Sequence, residues 1–209
     1  IIETFAPVDG IVQVARGNQR NAYPQTSEYS REPWFIGFEG ATDGEGYLLD
    51  LFRVSGGDRH EYTLQGEANI DAWFETDLTL GDYGPYLLPP GTIVTEPESS
   101  TDTGDAQGHY YGYIYVRDVK KADIKDGSFQ LTLETEENGQ EKSKLNILGL
   151  VEAGNNELFL GRSPSLRSTR LYGRSMDTNV EAVKYTMPKM VLRREGTNLT
   201  SNFVTVLEP

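Results

Sequence analysis

The residues best suited to ligand chemistry follow a pair of glycines in the first third of the chain. After Gly56 and Gly57 come five charged or hydrogen-bonding residues: Asp58, Arg59, His60, Glu61 and Tyr62. Because an imidazole ring hydrogen-bonds through both nitrogens and changes charge near neutral pH, His60 is a candidate contact for a polar or anionic ligand. The alternative is a structural histidine bonded within the turn, and residue type without geometry does not separate the two.

Arg53 is a second candidate, because it is a cation within the apolar segment Tyr47–Val54. Successive side chains of a strand point to opposite faces, so Arg53 and Asp50 lie on different faces of that segment. A charge in such a place needs a partner. We therefore expect Arg53 to pair with an acid elsewhere in the fold or to contact a ligand.

A third group of candidates is a run of arginines between residues 161 and 176. The run contains no acid, so it carries a local charge of +4 within a chain of net charge −13; its members are Arg162, Arg167, Arg170 and Arg174. Guanidinium groups match the oxygen geometry of carboxylates and sulfates. The alternatives are contact with an acidic polymer, to which we assign Arg170 and Arg174, or pairing with surplus acids of the protein.

The composition excludes several classes of protein. With 19 Lys and Arg against 32 Asp and Glu, the 209-residue chain has no dominant basic surface for duplex nucleic acid or anionic lipid, and no apolar run long enough for a membrane span. The chain has no cysteine and two histidines without metal-ligand spacing, so we predict no thiolate nucleophile, metal site or cofactor. The acids between Glu96 and Asp105 match no calcium-loop pattern and are interpreted as a solvated loop.

The elements that must position these residues are predicted to be β-strands. About ten short strands separated by glycine and proline turns predict an all-β fold, a large antiparallel β-sandwich of two or more stacked sheets. Residues 1–209 form one domain, and a subdomain boundary would fall near 96–108. Three hairpins are expected: Tyr47–Val54 with Arg59–Leu64, Phe129–Glu134 with Leu145–Val151 through Asn138-Gly139, and Lys189–Arg194 with Phe203–Leu207.

Two further segments carry predictions of their own. Tyr83–Pro90 is expected to be an irregular, partly buried loop, because it is rich in proline and glycine. His109–Arg117 is expected to be a strand with Tyr111, Tyr113 and Tyr115 on one face, either as sheet packing or as a platform on which sugars stack.

The segment Tyr47–Tyr62 resembles a stretch of the heparinase II/III-like polysaccharide lyases. In that family a Tyr-Val-Val-Asp-type strand runs through Phe-Arg-Val into Gly-Gly and then a His-containing segment, and this chain has Phe52-Arg53-Val54 followed by Gly56-Gly57 and His60. Flanking patterns are similar at Ala22–Pro24, Tyr29–Arg31 and Arg193–Pro209. Where the family often has His before Gly, this chain has Gln65-Gly66.

The resemblance implies the C-terminal β-sandwich of a lyase that degrades uronate-containing polysaccharide by β-elimination. The family's catalytic Tyr and Asn/His groups belong to an N-terminal helical toroid, and its metal-binding histidines also have no counterpart here. We therefore expect one wall of a glycan cleft, inactive alone, that partners an absent toroid domain in the periplasm or outside the cell. The implied substrate-binding residues are His60, Arg53, Arg59, Glu61, Tyr62, Arg170 and Arg174. The alternatives are a free-standing carbohydrate-binding module and a structural domain without a glycan role.

Overall fold

The computed structural model describes residues 1–8, 11–19, 21–38, 40, 45–96, 104–167 and 185–209. Within these ranges the chain forms β-strands and one short 3-10 helix, Tyr111–Tyr115. The strands are β1 (Ile2–Val8), β2 (Val12–Asn18), β3 (Glu28–Gly37), β4 (Gly46–Ser55), β5 (Arg59–Gln65), β6 (Asp71–Glu75), β7 (Gly81–Tyr86), β8 (Arg117–Asp123), β9 (Ser128–Glu137), β10 (Gln140–Val151), β11 (Asn156–Pro164), β12 (Thr186–Glu195) and β13 (Thr200–Glu208). No helix in the described ranges is long and apolar enough to cross a membrane.

The strands form two antiparallel sheets of unequal width, which confirms the predicted all-β sandwich. The larger sheet has the order β1-β2-β3-β4-β13-β10-β9-β6, and the smaller has the order β5-β12-β11-β8-β7. Alternate apolar residues of both sheets meet in one core that includes Phe52, Phe129, Ile147, Leu158 and Phe203. Because eight strands face five, part of the larger sheet extends beyond the smaller one.

The larger sheet overhangs the smaller at β5, the edge strand of the smaller sheet. The Phe52 ring of β4 lies 6.3 Å from the Tyr62 ring of β5, so β4 packs directly over this edge. The strands β3, β2 and β1 continue past it. Burial in β4 follows the pleat: Phe52 and Val54 are buried between the sheets, whereas Leu49 and Leu51 on the outer face are half-buried. The outer face of β4 is therefore only partly covered.

Two of the three predicted hairpins are wrong, because their strands belong to different sheets. β4 pairs with β3 and β13, whereas β5 pairs with β12, so Gly56–Asp58 links the two sheets. Gly196–Leu199 links β12 to β13 in the same way. The two links lie side by side: Gly56 N–H donates to Leu199 C=O at 2.7 Å, and Leu199 N–H donates to Gly57 C=O at 2.8 Å. Each link satisfies backbone groups of the other.

The third predicted hairpin is confirmed. β9 and β10 pair over most of their length, and the turn residues Asn138 and Gly139 have φ of 55° and 77°. Left-handed backbone at both central residues matches the twist of a two-residue hairpin, which explains the Asn-Gly sequence.

The segment between β7 and β8 covers the outer face of the smaller sheet, and here two predictions are wrong. Strand β7 extends to Tyr86 and so includes the first four residues of the loop predicted at Tyr83–Pro90, and residues 111–115 form the 3-10 helix in place of a strand. The helix buries Ile114 against Leu88 and Ala106. Because side chains of a 3-10 helix repeat every three residues, the three tyrosines do not share one flat face.

Candidate functional site

A groove runs along β5, where the larger sheet overhangs the smaller one. It consists of two adjoining cavities of about 470 and 640 Å³ that share Tyr29, Phe52, Glu61 and Thr63 as lining residues. Among the strands that the structure describes, β5 pairs only with β12, so its other edge faces this space. We call it the edge groove.

A buried carboxylate fixes the wall of the smaller cavity. Asp50 is 1% exposed and accepts hydrogen bonds from Arg31 Nε at 2.9 and 3.0 Å, from Arg31 Nη2 at 2.5 Å and from the Tyr62 hydroxyl at 2.8 Å. The Arg31 side chain stays 53% exposed and lines the cavity. The pair with Asp50 uses the Nε side of the guanidinium, so the Nη1 amino group is left for a ligand.

The Tyr62 hydroxyl is held in its protonated form. Burial, with the neighbouring Asp50 carboxylate as the second cause, raises the pKa of Tyr62 from 10.0 to about 12. Both effects disfavour a phenolate, because it would be a second buried negative charge beside Asp50. Near neutral pH Tyr62 is therefore a hydrogen-bond donor and not a base.

A second ion pair supports the larger cavity. Glu61 Oε1 accepts a hydrogen bond from Arg193 Nε at 2.7 Å, and Glu61 Oε2 accepts one from the Tyr113 hydroxyl at 2.5 Å. The Arg193 side chain is 4% exposed, and its guanidinium carbon lies 4.7 Å from the centre of the Phe159 ring. Burial and the Glu61 carboxylate raise the pKa of Tyr113, so this phenol also stays protonated.

The rim of the larger cavity carries exposed aromatic rings. Tyr110 is 73% exposed on one side and Tyr23 is 47% exposed on the other. Each ring is supported by a second tyrosine at a centroid distance of 5.2 Å, Tyr113 for the first and Tyr29 for the second. The exposed aromatic surface thus lies at Tyr110 and Tyr23, and not at the predicted stripe of Tyr111, Tyr113 and Tyr115.

His60 is in the position of a structural histidine. It is 4% exposed, its Nε2 lies 2.7 Å from the Gly56 carbonyl oxygen, and its Nδ1 lies 2.8 Å from Ser201 Oγ. A carbonyl oxygen only accepts, so Nε2 carries a hydrogen. Ser201 Oγ also accepts a hydrogen bond from Arg194 Nη1 at 2.9 Å. Both ring nitrogens are engaged inside the protein.

The other predicted site residues divide between the groove and the rest of the molecule. Arg59, Glu61 and Tyr62 line the edge groove with His60, and Arg59 pairs with Glu195 at 2.6 Å. Arg53 lies on the outer face of the larger sheet, where it pairs with Glu32 at 3.1 Å. The groove and Arg53 are therefore on different faces.

The arginine run does not meet the groove within the described residues. Arg162 bonds to Thr186 Oγ1 at 2.7 Å, and Arg167 pairs with Asp71 at 2.9 Å. Both contacts tie β11 and the residues after it to neighbouring strands. Arg170 and Arg174 lie outside the described residues, so their assignment stays a prediction.

Sequence reasoning did not select three residues that line or support the groove: Arg31, Lys189 and Arg193. Arg31 and Arg193 fall in segments similar to the lyase family, Tyr29–Arg31 and the one beginning at Arg193, and that similarity was the available signal. Lys189 shares one face of β12 with Val191 and Arg193. A single lysine in an apolar strand does not indicate a binding site.

The site offers binding groups, with its acids already paired. Among the described residues there is no group of three or more His, Cys, Asp or Glu with the geometry of a metal site. The groove presents a half-exposed guanidinium, a lysine and exposed tyrosine rings. This set matches the hydroxyl groups, acidic groups and apolar faces of sugar rings.

Comparison with known proteins gives distant likenesses in fold. No family model and no curated protein matches the chain. The structure is similar to heparan sulfate lyase HepC from Pedobacter heparinus and to a mutant of that enzyme, each with 12% identity and a TM-score of 0.43 over 100% of this chain and 21% of the lyase. A galactose mutarotase related enzyme from Lactobacillus acidophilus is similar with 11% identity and a TM-score of 0.33, over 100% and 71% of the two chains. This chain thus spans about a fifth of the lyase's length, and the resemblance is distant.

Proposed function

We propose that this chain is the β-sandwich portion of a polysaccharide lyase, and that its edge groove forms one wall of a cleft for uronate-containing polysaccharide. The observation that carries the proposal is the position of the segment that resembles the lyase family. Phe52, Glu61 and Tyr62 of that segment line the groove, and Asp50 orients Arg31 beside them. Residues similar to the family and residues suited to a sugar ligand thus meet in one place.

The charge arrangement of the groove supports an acidic ligand. The acids Asp50 and Glu61 are each bound by an arginine and a tyrosine, so their charges are compensated within the protein. The Arg31 side chain is half exposed, so N–H donors of its guanidinium remain available to a ligand. A guanidinium held by a buried carboxylate is pre-oriented, which lowers the entropy lost when it binds a second carboxylate.

The edge of β5 and the rim tyrosines support a sugar chain as the ligand. Alternate backbone N–H and C=O groups of an edge strand point away from its partner strand and can bond to hydroxyl groups. Exposed rings of Tyr23 and Tyr110 offer flat apolar surface for the faces of pyranose rings.

The state of the tyrosines supports a non-catalytic role for the isolated chain. Proton removal next to a uronate carboxylate needs a base whose pKa lies near the working pH. Tyr62 and Tyr113 have raised pKa values and donate to carboxylates, and His60 is bonded at both nitrogens. We therefore assign the chemistry to a helical toroid domain, and from the family resemblance we propose a periplasmic or extracellular location.

A partner domain needs an apolar surface on which to dock, and β1 offers one. Ile2 and Phe5 are 77% and 75% exposed on this edge strand of the larger sheet, and their positions opposite Gly17 and Ala15 place both on one face. Contiguous exposed apolar side chains are typical of interaction surfaces. β1 also adjoins the smaller cavity, where Ile2 is a lining residue.

The groove is tested by filling it. Thr63 is exposed and lines both cavities, so Thr63→Trp places an indole in the path of a polymer. We expect affinity for uronate polymers, measured by retention in affinity electrophoresis, to fall at least tenfold. The matched control is Thr132→Trp on the larger sheet, since Thr132 lies between the core residues Leu131 and Leu133 and faces outward.

The outcomes separate the alternatives. Equal retention of Thr63→Trp and the unchanged chain would contradict binding in the groove. Formation of unsaturated product by the chain alone would contradict the assignment of catalysis to another domain. Equal retention on uronate and neutral polymers would favour a free-standing carbohydrate-binding module, and no retention on either would favour a structural domain.

A further inference from the structure

Lys189 is a charged residue of the edge groove for which the described residues supply no ion-pair partner. Of the lysines that the structure describes, Lys121 and Lys189 are half-buried and the others are exposed. Lys121 forms ion pairs with Glu157 at 2.7 Å and Asp123 at 3.2 Å. Lys189 has no ion pair within 4.0 Å among the described residues.

The position of Lys189 on β12 directs it into the larger cavity. In the β12–β5 pair, Arg193 lies opposite Glu61, Val191 opposite Thr63 and Lys189 opposite Gln65. Val191 packs against the outer cluster of the smaller sheet, so the alternate residue Lys189 lies on that same face. Lys189 is also a lining residue of the larger cavity.

Burial makes this cation costly without a ligand. Desolvation lowers the pKa of Lys189, and the charge of Glu61 opposes that effect only in part. Glu61 is bonded by Arg193 and Tyr113, and its carboxylate does not lie within 4.0 Å of the Lys189 ammonium. Half-buried charges are normally paired, and a cavity holding one unpaired cation attracts an anion.

We infer that Lys189 binds the anionic group of a sugar lying in the larger cavity, a carboxylate or a sulfate. The inference rests on the proposed function and adds to it a residue that sets specificity for charge. Lys189 lines the larger cavity and Arg31 lines the smaller one, and Glu61 and Thr63 are common to both. The groove therefore has two cationic positions for one extended acidic polymer.

The test compares ligands of equal size and different charge. Lys189→Met removes the ammonium and keeps an unbranched apolar side chain, and Lys189→Arg keeps the cation. Calorimetric titration of the 209-residue chain uses three ligands: a uronate oligosaccharide, its carboxyl-reduced neutral counterpart, and that neutral counterpart bearing sulfate. We expect Lys189→Met to weaken binding of one or both anionic ligands about tenfold, to leave the neutral ligand unchanged, and Lys189→Arg to restore most of the loss.

The uronate and sulfated ligands distinguish a carboxylate from a sulfate, and a lysine outside the cavity is the control. Loss for the uronate ligand assigns a carboxylate, loss for the sulfated ligand assigns a sulfate, and loss for neither overturns the inference. Lys121→Met, on the same sheet but outside the cavity, is expected to change none of the three affinities. If the unchanged chain binds no ligand, the proposed function itself fails. If it binds and Lys189→Met binds equally well, only the role of Lys189 is overturned.

A second measurement covers the case in which Lys189→Met does not fold. An amine-reactive reagent is applied to the unchanged chain with and without the uronate and sulfated oligosaccharides, and modification of each lysine is measured by mass spectrometry. We expect an anionic ligand to protect Lys189 and to leave Lys121 unaffected. Equal modification of Lys189 with and without either ligand would overturn the inference.

Discussion

At the level of single residues, Asp50 links the core of the sandwich to the wall of the edge groove. Its carboxylate is buried, yet the Arg31 side chain that it binds is half exposed to the cavity. Tyr62 donates to the same carboxylate from the facing sheet. One buried charge thus fixes two groove residues from different sheets, which pre-organises the wall before any ligand arrives.

The hydrogen bond between Tyr62 and Asp50 predicts a loss of stability at alkaline pH. The pKa of Tyr62 is raised from 10.0 to about 12, so the folded protein holds this proton more tightly than the unfolded chain does. The resulting stability is complete below pH 10 and is lost as the pH rises towards 12. From this residue the free energy of unfolding should fall by up to about 1.4 kcal/mol per pH unit in that window. Urea unfolding measured at pH 9 and at pH 11 checks the prediction.

Tyr62→Phe is the variant that isolates this residue from the other tyrosines. It lacks the phenolic proton, so its unfolding free energy should change less between the two pH values than that of the unchanged chain. Tyr110→Phe, at an exposed ring, should behave like the unchanged chain. The same pH response in Tyr62→Phe and the unchanged chain would show that Tyr62 keeps an ordinary pKa.

At the level of elements, the two links between the sheets place the charged segment Asp58–Tyr62 at the edge of the sandwich. The links Gly56–Asp58 and Gly196–Leu199 hydrogen-bond to one another. The strands β5 and β12 are therefore connected to the larger sheet side by side. The chain before β3 packs on the first link, since a Cβ at Gly56 would overlap the Gln25 carbonyl oxygen. Gln25 also lines the larger cavity, so the link and the groove share a wall.

This packing predicts that Gly56 tolerates no side chain. Its φ is +96°, and its missing Cβ leaves the space taken by the Gln25 carbonyl group, so Gly56→Ala meets both backbone strain and a steric clash. We expect it to lower the free energy of unfolding by about 3 kcal/mol or more. Gly139→Ala is the matched control, because Gly139 has φ of +77° with open space around it. It should cost about 1 kcal/mol, and equal losses in urea unfolding would show that the contact with Gln25 does not matter.

The comparison of sequence and structure is clearest at these elements. The Asn138-Gly139 hairpin was predictable, because its turn residues alone specify the left-handed backbone. The link at Gly56-Gly57 also has left-handed glycines, but the same residues serve a turn within one sheet or between two. The long-range pairing of β5 with β12 decides to which sheet β5 belongs, and the local sequence pattern does not predict that pairing. The 3-10 helix was missed for a related reason: Ile114 is buried by Leu88 and Ala106 of the preceding loops, and the alternation of residues 109–117 does not show these contacts.

The candidate site shows the same division. Four predicted residues, Arg59, His60, Glu61 and Tyr62, are close in sequence and share the edge groove. Their neighbours in the groove come from distant strands, as Arg31 of β3 and Lys189 of β12 do, and only the register of the sheets brings them together. The sequence pattern therefore predicted the site residues of β5, whereas those of β3 and β12 are known only from the strand order of the sheets.

At the level of the whole molecule, net charge opposes the ligand that the groove is proposed to bind. The chain carries −13, while the cationic groups in the groove act over a few ångströms. Repulsion between the acidic protein and an acidic polymer extends about 30 Å at 10 mM salt and about 8 Å at 150 mM. Salt should therefore weaken the long-range repulsion more than it weakens contacts inside the half-buried groove.

This balance predicts an unusual salt dependence, given the proposed function. The association rate of a uronate oligosaccharide, measured by stopped-flow fluorescence, should rise severalfold between about 10 and about 150 mM salt, because screening lowers the barrier to approach. The carboxyl-reduced oligosaccharide carries no charge, and its association rate should stay constant over the same range. A rate for the uronate ligand that falls steadily with salt would mean that cations near the groove attract the ligand more strongly than the whole molecule repels it. In that case the cations of the groove, Arg31 and Lys189, and not the net charge, would control approach.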